Sequence, residues 1–473
     1  MSPPSGNDDR WSSTSIFRAT MNFDLAYLLY LAKAAAVLIA VALTLRARIK
    51  PAVVWGIAGM VGVVVVCSLY FLFSALGADP RIGMDYRIFW GAGRDVWAGV
   101  NPYAPDRFAE HPFLQPPSAL PLFAAFALLP FPLGYIAWSV LSLVAAIVLV
   151  PLALRTLSAQ QRLDGPLAAG GGALSAGLPE VVLLALASAL AVSDASMLTT
   201  GLGQLSLLAA VVLAAALAAQ ARGWPVAAGA LLALATVKVA TMLPFLLLFG
   251  RRSDWRAWAA MGVTTLALCL AAGNPLDLPA RLTVVPERIG QLEAPGQVND
   301  YSFEGKQTDS ILGFEHAFYR LGLRDRTVIK VGQYAAVLLL GAWVGWQVLG
   351  RDRLPRAAAC SLVALYSTVF LYHRNYDTVI LALPLVYSAG RARLAGGRAR
   401  WLFAACATAI LLVLHLNIDL LKTVRGLSLE WGVWGRIVQA VVLPYGTWLI
   451  LLAMALLVWG ARAKEKTCLP APA

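Results

Sequence analysis

A small set of ionisable residues lies in or beside long apolar stretches of this sequence. Asp85 follows an apolar run in GMDYRIFW, and Lys238 lies in the middle of LLALATVKVATMLPFLLLFG. A carboxylate can exchange a proton and an ammonium group can bind an anion. An ionisable residue inside a membrane segment is a functional candidate by default. The alternatives are that Lys238 extends its amine to the membrane surface and that Asp85 is solvated or caps a helix.

Other polar residues mark the ends of apolar runs. Gln204 begins the run GLGQLSLL, Gln115 precedes two prolines in FLQPPSAL, and the turn HRNYD occupies residues 373–377 between two runs. A glutamine at the start of a span is more often a structural hydrogen-bonding group than a functional one. The dense polar turn could be a plain interfacial turn or part of a site.

The composition shows what kind of protein must position these residues. The chain has 473 residues, of which 59% are hydrophobic and 13% charged, whereas soluble proteins have about 25% charged residues. Apolar runs long enough to cross a bilayer recur, and they are continuous rather than alternating, unlike the strands of a β-barrel. We therefore predict an all-α polytopic membrane protein. The net charge of +13 then reflects basic cytoplasmic loops, and no nucleic-acid partner is expected.

The basic segments predict which loops are cytoplasmic. Lys and Arg accumulate in cytoplasmic loops, and the basic segments beside apolar runs are RARIK (46–50), RRSDWR (251–256), RDRLPR (351–356), RARLAGGRAR (391–400) and ARAKEK (461–466). With these inside, the loops 78–117 and 274–329 lie outside. We predict a single membrane domain, 1–473, with about 12–13 transmembrane helices. It comprises an additional N-terminal span (24–52), a core (53–390), and C-terminal spans with a cytoplasmic tail (391–473).

Asp85 lies outside and the basic segment at 251 lies inside, so an odd number of spans must separate them. The apolar runs between them give an even number unless one span is interrupted. The run 118–131 is short and flanked by prolines, so we interpret it as a re-entrant or surface helix. A break near Lys238 into two half-spans resolves the conflict and brings Lys238 to the outer face, as in helices that line a cavity. The outer face then also carries Asp85, Gln115, Gln204, the polar stretch 298–310 and all four histidines, His111, His316, His373 and His415. This clustering predicts a membrane-embedded cavity on the extracytoplasmic side.

The order of these segments resembles glycosyltransferase family 87 of the GT-C superfamily. The resemblance covers roughly residues 53–390 and rests on MDYRIFWGAGRDVWAGVNPY, FLQPPSALPLFAAFALLPFP, GQLSLLAAVVLAAAL, GWPVAAGALLALATVKVATMLPFLLLFGRR and HRNYDTVILALPL. This family includes polyprenyl-phosphate-mannose-dependent α-(1→2)-mannosyltransferases and related arabinofuranosyltransferases. The resemblance implies a GT-C fold in the cell membrane. It also implies transfer of a sugar, mannose first among the candidates, from a polyprenyl-phosphate donor to a lipid or glycan acceptor on the outer face, with inversion.

The resemblance also implies roles for individual residues. Asp85 would be the catalytic base, and Lys238 with His373 or Arg374 would stabilise the departing phosphate. Gln204 would orient substrate hydroxyl groups. Further substrate-binding candidates are Gln115, Arg94 and Tyr103. The expected partners are the lipid-linked donor, the acceptor and the surrounding membrane lipids.

The sequence predicts no cofactor and no required metal ion. Clustered carboxylates that could bind a divalent cation are lacking, and only Asp95 and Asp300 are reasonable additional ligands beside Asp85. The five cysteines have no paired spacing and indicate no disulfide framework.

Two other classes of membrane protein compete with the transferase. A transporter or lipid flippase would favour internal repeats and a midplane site, and the sequence has no evident repeat. A lipid-linked ligase or polymerase of O-antigen type would place its decisive residues in the loop 274–329, with His316 and Arg320 as candidates. A structural scaffold would leave Lys238 unexplained.

Overall fold

The computed structural model describes residues 23–74, 76, 79, 81–104, 106–108, 111–164, 173–273, 278–305, 308–415, 418–428 and 430–463. The part of the predicted cytoplasmic tail beyond residue 463 lies outside the described residues.

The first half of the chain is a series of apolar helices, several of which have proline at their first or second residue. Proline is tolerated in the first turn because the amide that it lacks has no partner there. The helices are α1 (Phe23–Thr44), α2 (Pro51–Ser74), α3 (Met84–Trp97), α4 (Leu120–Phe126), α5 (Phe131–Arg162), α6 (Leu174–Gly177), α7 (Glu180–Ala191), α8 (Asp194–Leu202), α9 (Ser206–Ala221), α10 (Pro225–Ala235) and α11 (Val239–Met242), with 3₁₀ turns at Pro117–Ala119, Thr236–Lys238 and Leu243–Phe249.

The second half is also helical and adds one short strand pair. Its helices are α12 (Trp255–Ala271), α13 (Leu278–Leu292), α14 (Phe314–Arg320), α15 (Arg326–Leu349), α16 (Arg356–Ser367), α17 (Ala382–Leu394), α18 (Gly397–Leu414), α19 (Ile418–Ser428), α20 (Gly432–Val441) and α21 (Tyr445–Arg462), with 3₁₀ turns at Arg252–Asp254, Thr308–Ser310 and Asn375–Leu381. Strands β1 (Ile311–Leu312) and β2 (His373–Arg374) are antiparallel, with Ile311 opposite Arg374 and Leu312 opposite His373.

The prediction of a mostly helical multi-pass membrane protein is confirmed. By length and composition, six described helices can cross a membrane, or up to seven if the bent pair α7–α8 forms one span, and four shorter helices are also apolar. The total of about 12–13 crossings stays a prediction. Residues 437–460, within the region 391–473 predicted to hold the C-terminal spans, are divided between α20 and α21, and the run 118–131 contains the short helix α4 as expected.

The helix is interrupted at Lys238, as the sequence predicted. Lys238 has φ −109° and ψ 71°, outside the helical region, and it separates a 3₁₀ turn from α11. However, the whole segment Pro225–Phe249 qualifies as one candidate span, so the two half-spans stay a prediction. The larger break lies between α7 and α8, which are bent by 51°.

Candidate active site

One cavity of about 710 Å³ brings together residues from distant parts of the chain. Its volume is within the range of about 300–1,000 Å³ that is typical of ligand pockets. The wall is formed by the start of α3, the loop before α4, the interrupted segment at Lys238, helix α13, the start of α15 and the residues around β2. Both long loops predicted to lie outside therefore contribute to a single cavity.

Two glycines allow Asp85 and Gln204 to meet. Gly203 has φ 75°, and a Cβ atom there would lie 2.4 Å from Tyr86 Cβ, so only glycine permits this approach of α3. Gly83, which precedes α3, also has positive φ and donates its amide to the Gly201 carbonyl at 2.9 Å. As a result the Gln204 amide donates to Asp85 Oδ2 at 2.7 Å, across 119 residues of sequence.

Lys238 lies on the other side of Gln204. Its ammonium group is 3.3 Å from Gln204 Oε1 and 2.6 Å from Asp377 Oδ1. The same Nζ lies 4.8 Å from the centre of the Tyr376 ring, where the face of the ring attracts a cation. Gln204 thus connects the carboxylate at the start of α3 to the lysine at the helix interruption.

Asp377 holds Lys238 in place from behind the cavity wall. Its carboxylate accepts hydrogen bonds from Ser206 Oγ at 2.9 Å and lies 3.2 Å from His373 Nδ1. Burial alone would raise the pKa of Asp377, but the charge of Lys238 and the contact with His373 outweigh burial and lower it. Asp377 is therefore an anion that orients its cationic neighbour.

Arg374 reaches the cavity from strand β2. Its guanidinium donates to Tyr372 OH at 2.5 Å, to Asn299 Oδ1 at 3.0 Å and to the Val298 carbonyl at 2.9 Å. The neighbouring Leu371 has φ 62°, a conformation that is costly for a bulky residue and that occurs most often at functional sites. The outer loop and the late turn are thus fixed to each other beside the cavity.

Enclosure by protein changes the acidity of Asp85. Burial raises its pKa, while the hydrogen bond from Gln204 and the charges of Arg374, Lys238 and His111 act in the opposite direction. A carboxylate with a raised pKa is a stronger base than an exposed one. The arrangement can therefore accept a proton at Asp85 and hold an anionic group beside Lys238 and Arg374.

Comparison with known families identifies the chain. The profile of glycosyltransferase family 87 matches residues 113–372, which is more than half of the sequence. The chain belongs to glycosyltransferase family 87. No curated protein and no solved structure matches it significantly.

Family 87 is a GT-C membrane glycosyltransferase family, so this family 87 protein is a membrane enzyme that uses a sugar donor and an acceptor. The matched region contains Gln115, Gln204 and Lys238, whereas His373 and Arg374 lie just beyond its end and Asp85 lies well before its start. The roles of these residues therefore have to be argued from the geometry.

The structure places five of the predicted site residues of the family 87 enzyme around the cavity. They are Asp85, Gln115, Gln204, Lys238 and Arg374.

Three other predicted residues do not line the cavity. His373 is buried behind Asp377, and Tyr103 donates its hydroxyl to the Gln115 carbonyl at 2.7 Å, which holds that loop in place. Arg94 is exposed and follows Asp85 by nine residues on α3, which at about 3.6 residues per turn places it on the opposite face.

Sequence reasoning missed several residues in and around the cavity of the family 87 enzyme. Asp377 was part of the polar turn but had no assigned role, although a buried lysine requires an anionic partner, and this requirement could have identified it. His111, which the sequence placed on the outer face, lines the cavity, and so do Glu293, Glu315 and Gln333, which the sequence did not single out. No local pattern distinguishes Glu293, Glu315 and Gln333 from ordinary polar residues.

The two further carboxylates considered for a metal site have other partners. Asp95 pairs with Arg107, and Asp300 pairs with Arg326 at 2.9 Å. The part of the family 87 enzyme that the structure describes has no group of three or more His, Cys, Asp or Glu side chains arranged to bind a metal ion. Independence from metal ions stays a prediction.

Proposed function

We propose that the enzyme transfers mannose from a polyprenyl-phosphate donor to a lipid or glycan acceptor at the extracytoplasmic face of the cell membrane, with inversion. The observation that supports this most is the placement of Asp85, Lys238 and Arg374 around one cavity. Such a reaction needs a base for the acceptor and a cationic group for the phosphate. Mannose is the sugar that the family resemblance favours.

In the proposed reaction Asp85 accepts the proton of the acceptor hydroxyl group. The acceptor oxygen attacks the anomeric carbon, the bond from that carbon to the phosphate oxygen breaks, and its electron pair leaves with the phosphate. Lys238 and Arg374 stabilise the charge that develops on the phosphate. Attack from the face opposite the leaving group inverts the anomeric centre, and this route needs no second nucleophilic carboxylate, unlike a retaining mechanism.

The rim of the cavity is suited to a lipid chain. The lining side chains of Val239, Leu243 and Tyr334 are 46%, 41% and 49% exposed, and they belong to the candidate spans Pro225–Phe249 and Arg326–Leu349. Exposed apolar groups on a spanning segment can contact lipid. A prenyl tail could therefore remain in the bilayer while its phosphate reaches Lys238.

The ligase or polymerase alternative depends on residues that lie away from the cavity. His316 and Arg320 are buried against each other, with Arg320 Nε donating to His316 Nε2 at 3.0 Å, and neither lines the cavity. Their positions favour a structural role. The flippase alternative makes a different prediction, because a flippase needs no general base at Asp85.

The experiment has two steps. Analysis of lipids in a strain lacking this protein identifies the acceptor that accumulates. Purified enzyme in nanodiscs is then given that acceptor with polyprenyl-phosphate mannose, arabinofuranose or glucose in turn. We expect transfer from the mannosyl donor, and Asp85→Asn should reduce the rate by about 10²- to 10⁴-fold, the usual contribution of a general base.

Asp106→Asn is the matched control, because Asp106 is exposed in the same outer loop and loses the same charge. It should transfer sugar at the normal rate. Near-normal transfer by folded Asp85→Asn would refute the assignment of the base. Lipid translocation without any transfer by the unmodified enzyme would support the flippase.

A further inference from the structure

The cavity has a second group of polar side chains that the proposed chemistry does not use. Glu293, Glu315, Lys330 and Gln333 line it together with Asp85. The charges that act on Glu315 are those of Glu293, Lys330 and Arg326, whereas those that act on Asp85 are Arg374, Lys238 and His111. The two carboxylates therefore have separate electrostatic surroundings within one cavity.

Two buried side chains of this group make no hydrogen bond to another described residue, although the charges of Lys330 and Arg326 act on Glu315. Glu315 is 7% exposed and Gln333 is 4% exposed, and the structure gives neither side chain a hydrogen bond to another described residue. Their neighbour Glu293 is instead neutralised by Lys330. Buried polar groups are normally hydrogen-bonded, so two unpartnered ones that line a cavity point to a ligand or water there.

The backbone fixes Glu315 of this group relative to Arg374. Glu315 lies in the first turn of α14, directly after β1 and Gly313. Strand β1 pairs with β2, which carries Arg374, and Gly313 donates its amide to Thr447 Oγ1 at 3.1 Å. Glu315 is therefore on a supported element and not on a free loop.

The chemistry of these groups indicates the kind of ligand. A carboxylate accepts hydrogen bonds from hydroxyl groups, and a primary amide both donates and accepts. Because Lys330 is already paired with Glu293, it is not free to bind a phosphate, and the unpaired carboxyl group of Glu315 does not favour one. In agreement with such an environment, burial and the charge of Glu293 raise the pKa of Glu315 to about 7, against the opposing effects of Lys330 and Arg326.

We propose that Glu315 and Gln333 form the subsite that binds hydroxyl groups of a carbohydrate on the acceptor. This inference rests on the proposed transfer reaction. It makes the two residues specificity determinants, while Asp85, Lys238 and Arg374 act on the reacting groups and the phosphate. An acceptor without a sugar headgroup would leave both buried side chains unpaired, which is the usual basis for strong discrimination.

The test uses the glycolipid fraction that accumulates in the strain lacking this protein as the acceptor probe. Glu315→Gln and Gln333→Leu should each raise the KM for that fraction about 10-fold or more, the effect expected when a buried polar group loses its partner. The KM for the polyprenyl-phosphate donor should stay within about twofold, since the proposed partners of the phosphate are Lys238 and Arg374. Glu304→Gln, which removes an exposed carboxylate from the same loop, should leave both values unchanged.

A binding measurement separates this inference from the proposed function. The glycolipid fraction should raise the unfolding temperature of the unmodified enzyme, and this stabilisation should be lost in Glu315→Gln and Gln333→Leu but retained in Glu304→Gln. If the unmodified enzyme transfers no sugar, the proposed function fails, and the binding result still decides the subsite. Unchanged acceptor KM and unchanged stabilisation in folded variants would overturn the inference, as would equal increases in donor and acceptor KM.

Discussion

Two largely shielded lysines in this enzyme form ion pairs of the same length in different surroundings. Lys238 Nζ lies 2.6 Å from Asp377 Oδ1, and Lys33 Nζ lies 2.6 Å from Asp194 Oδ1. The side chains of both pairs are about equally shielded, at 12% and 7% exposure for the first pair and 9% and 7% for the second. Burial and pairing alone do not distinguish them.

The difference lies in what else the lysine can reach. Lys238 also contacts Gln204, lies over Tyr376 and lines the cavity. Lys33, from α1, meets the first residue of α8 and does not line the cavity. A buried ion pair is weak evidence for stability and none for catalysis. In the proposed mechanism, access to the cavity, and not burial, therefore distinguishes Lys238 from Lys33.

The largest expected difference between the two lysines is in the rate of sugar transfer. Lys238→Met keeps the side-chain length and removes the charge, and the rate of sugar transfer should fall by about 10²- to 10³-fold, as for the loss of one preorganised stabilising group. Lys33→Met should keep near-normal activity per folded molecule. The measurement is transfer rate divided by the amount of folded enzyme from size-exclusion chromatography. Equal losses of transfer rate in the two variants would contradict a specific role of Lys238 in the reaction.

The second prediction concerns stability, for which Lys33→Met should have a larger effect than Lys238→Met. Lys33→Met leaves the Asp194 carboxylate without its lysine in the protein interior and should destabilise the enzyme by about 3–5 kcal/mol. After Lys238→Met, Asp377 keeps Ser206 and His373 as partners, and the cavity that Lys238 lines gives the site access to water, so the loss should be smaller. Thermal unfolding of the purified variants measures both changes.

A double variant tests whether the Lys33 pair is replaceable. Replacing a buried pair by apolar residues is often neutral, so Lys33→Met with Asp194→Leu should recover most of the lost stability. Lys238→Met with Asp377→Leu should not recover activity. If the double variant at Lys33 and Asp194 is as unstable as Lys33→Met alone, apolar residues cannot replace this ion pair.

The same comparison shows what sequence could predict about this enzyme. The interruption at Lys238, the short proline-flanked helix and the positions of Asp85 and Gln204 at element ends follow from local residue types. The rule that identified Lys238, an ionisable residue within an apolar run, applies equally to Lys33. Only contacts between distant segments separate the two, and Lys33 and Asp194 are 161 residues apart. A single sequence does not contain that information.

The sequence also did not predict the irregular backbone or the burial of isolated polar residues such as Glu315. The bend between α7 and α8 and the pairing of β1 with β2 arise from tertiary packing. Glu315 stands in a stretch with ordinary loop polarity, and its burial against the cavity depends on β1, β2 and α15. Local polarity therefore indicated Asp85, Gln204 and Lys238 as candidate site residues, but it did not indicate Glu315.

A smaller effect concerns the acidity of Asp85, which shares Gln204 with Lys238. The base must be deprotonated, so activity should fall as pH decreases through the pKa of Asp85, which burial raises above its usual value. The Gln204 hydrogen bond lowers this pKa, so Gln204→Met should move the acidic limb of the kcat/KM profile to higher pH. Gln115→Met removes another cavity amide and should leave the limb in place. A limb that stays or moves to lower pH in Gln204→Met would contradict this role.

The smallest effect uses Glu315, a buried ionisable residue that lines the cavity without an ion pair. Its pKa is raised from 4.5 to about 7 in the folded protein, so the folded state binds the proton more tightly than the unfolded state and loses stability as pH rises between these values. Glu315→Gln should therefore raise the unfolding temperature by a few degrees above pH 7, and this gain should disappear below pH 4.5. Glu304→Gln should show no such dependence. A gain of equal size at all pH values would mean that Glu315 is disfavoured by packing and not by its charge. The predicted pattern, with stability gained while the acceptor KM rises, would show that this carboxylate is retained for binding at a cost in stability, in contrast to the paired Lys33.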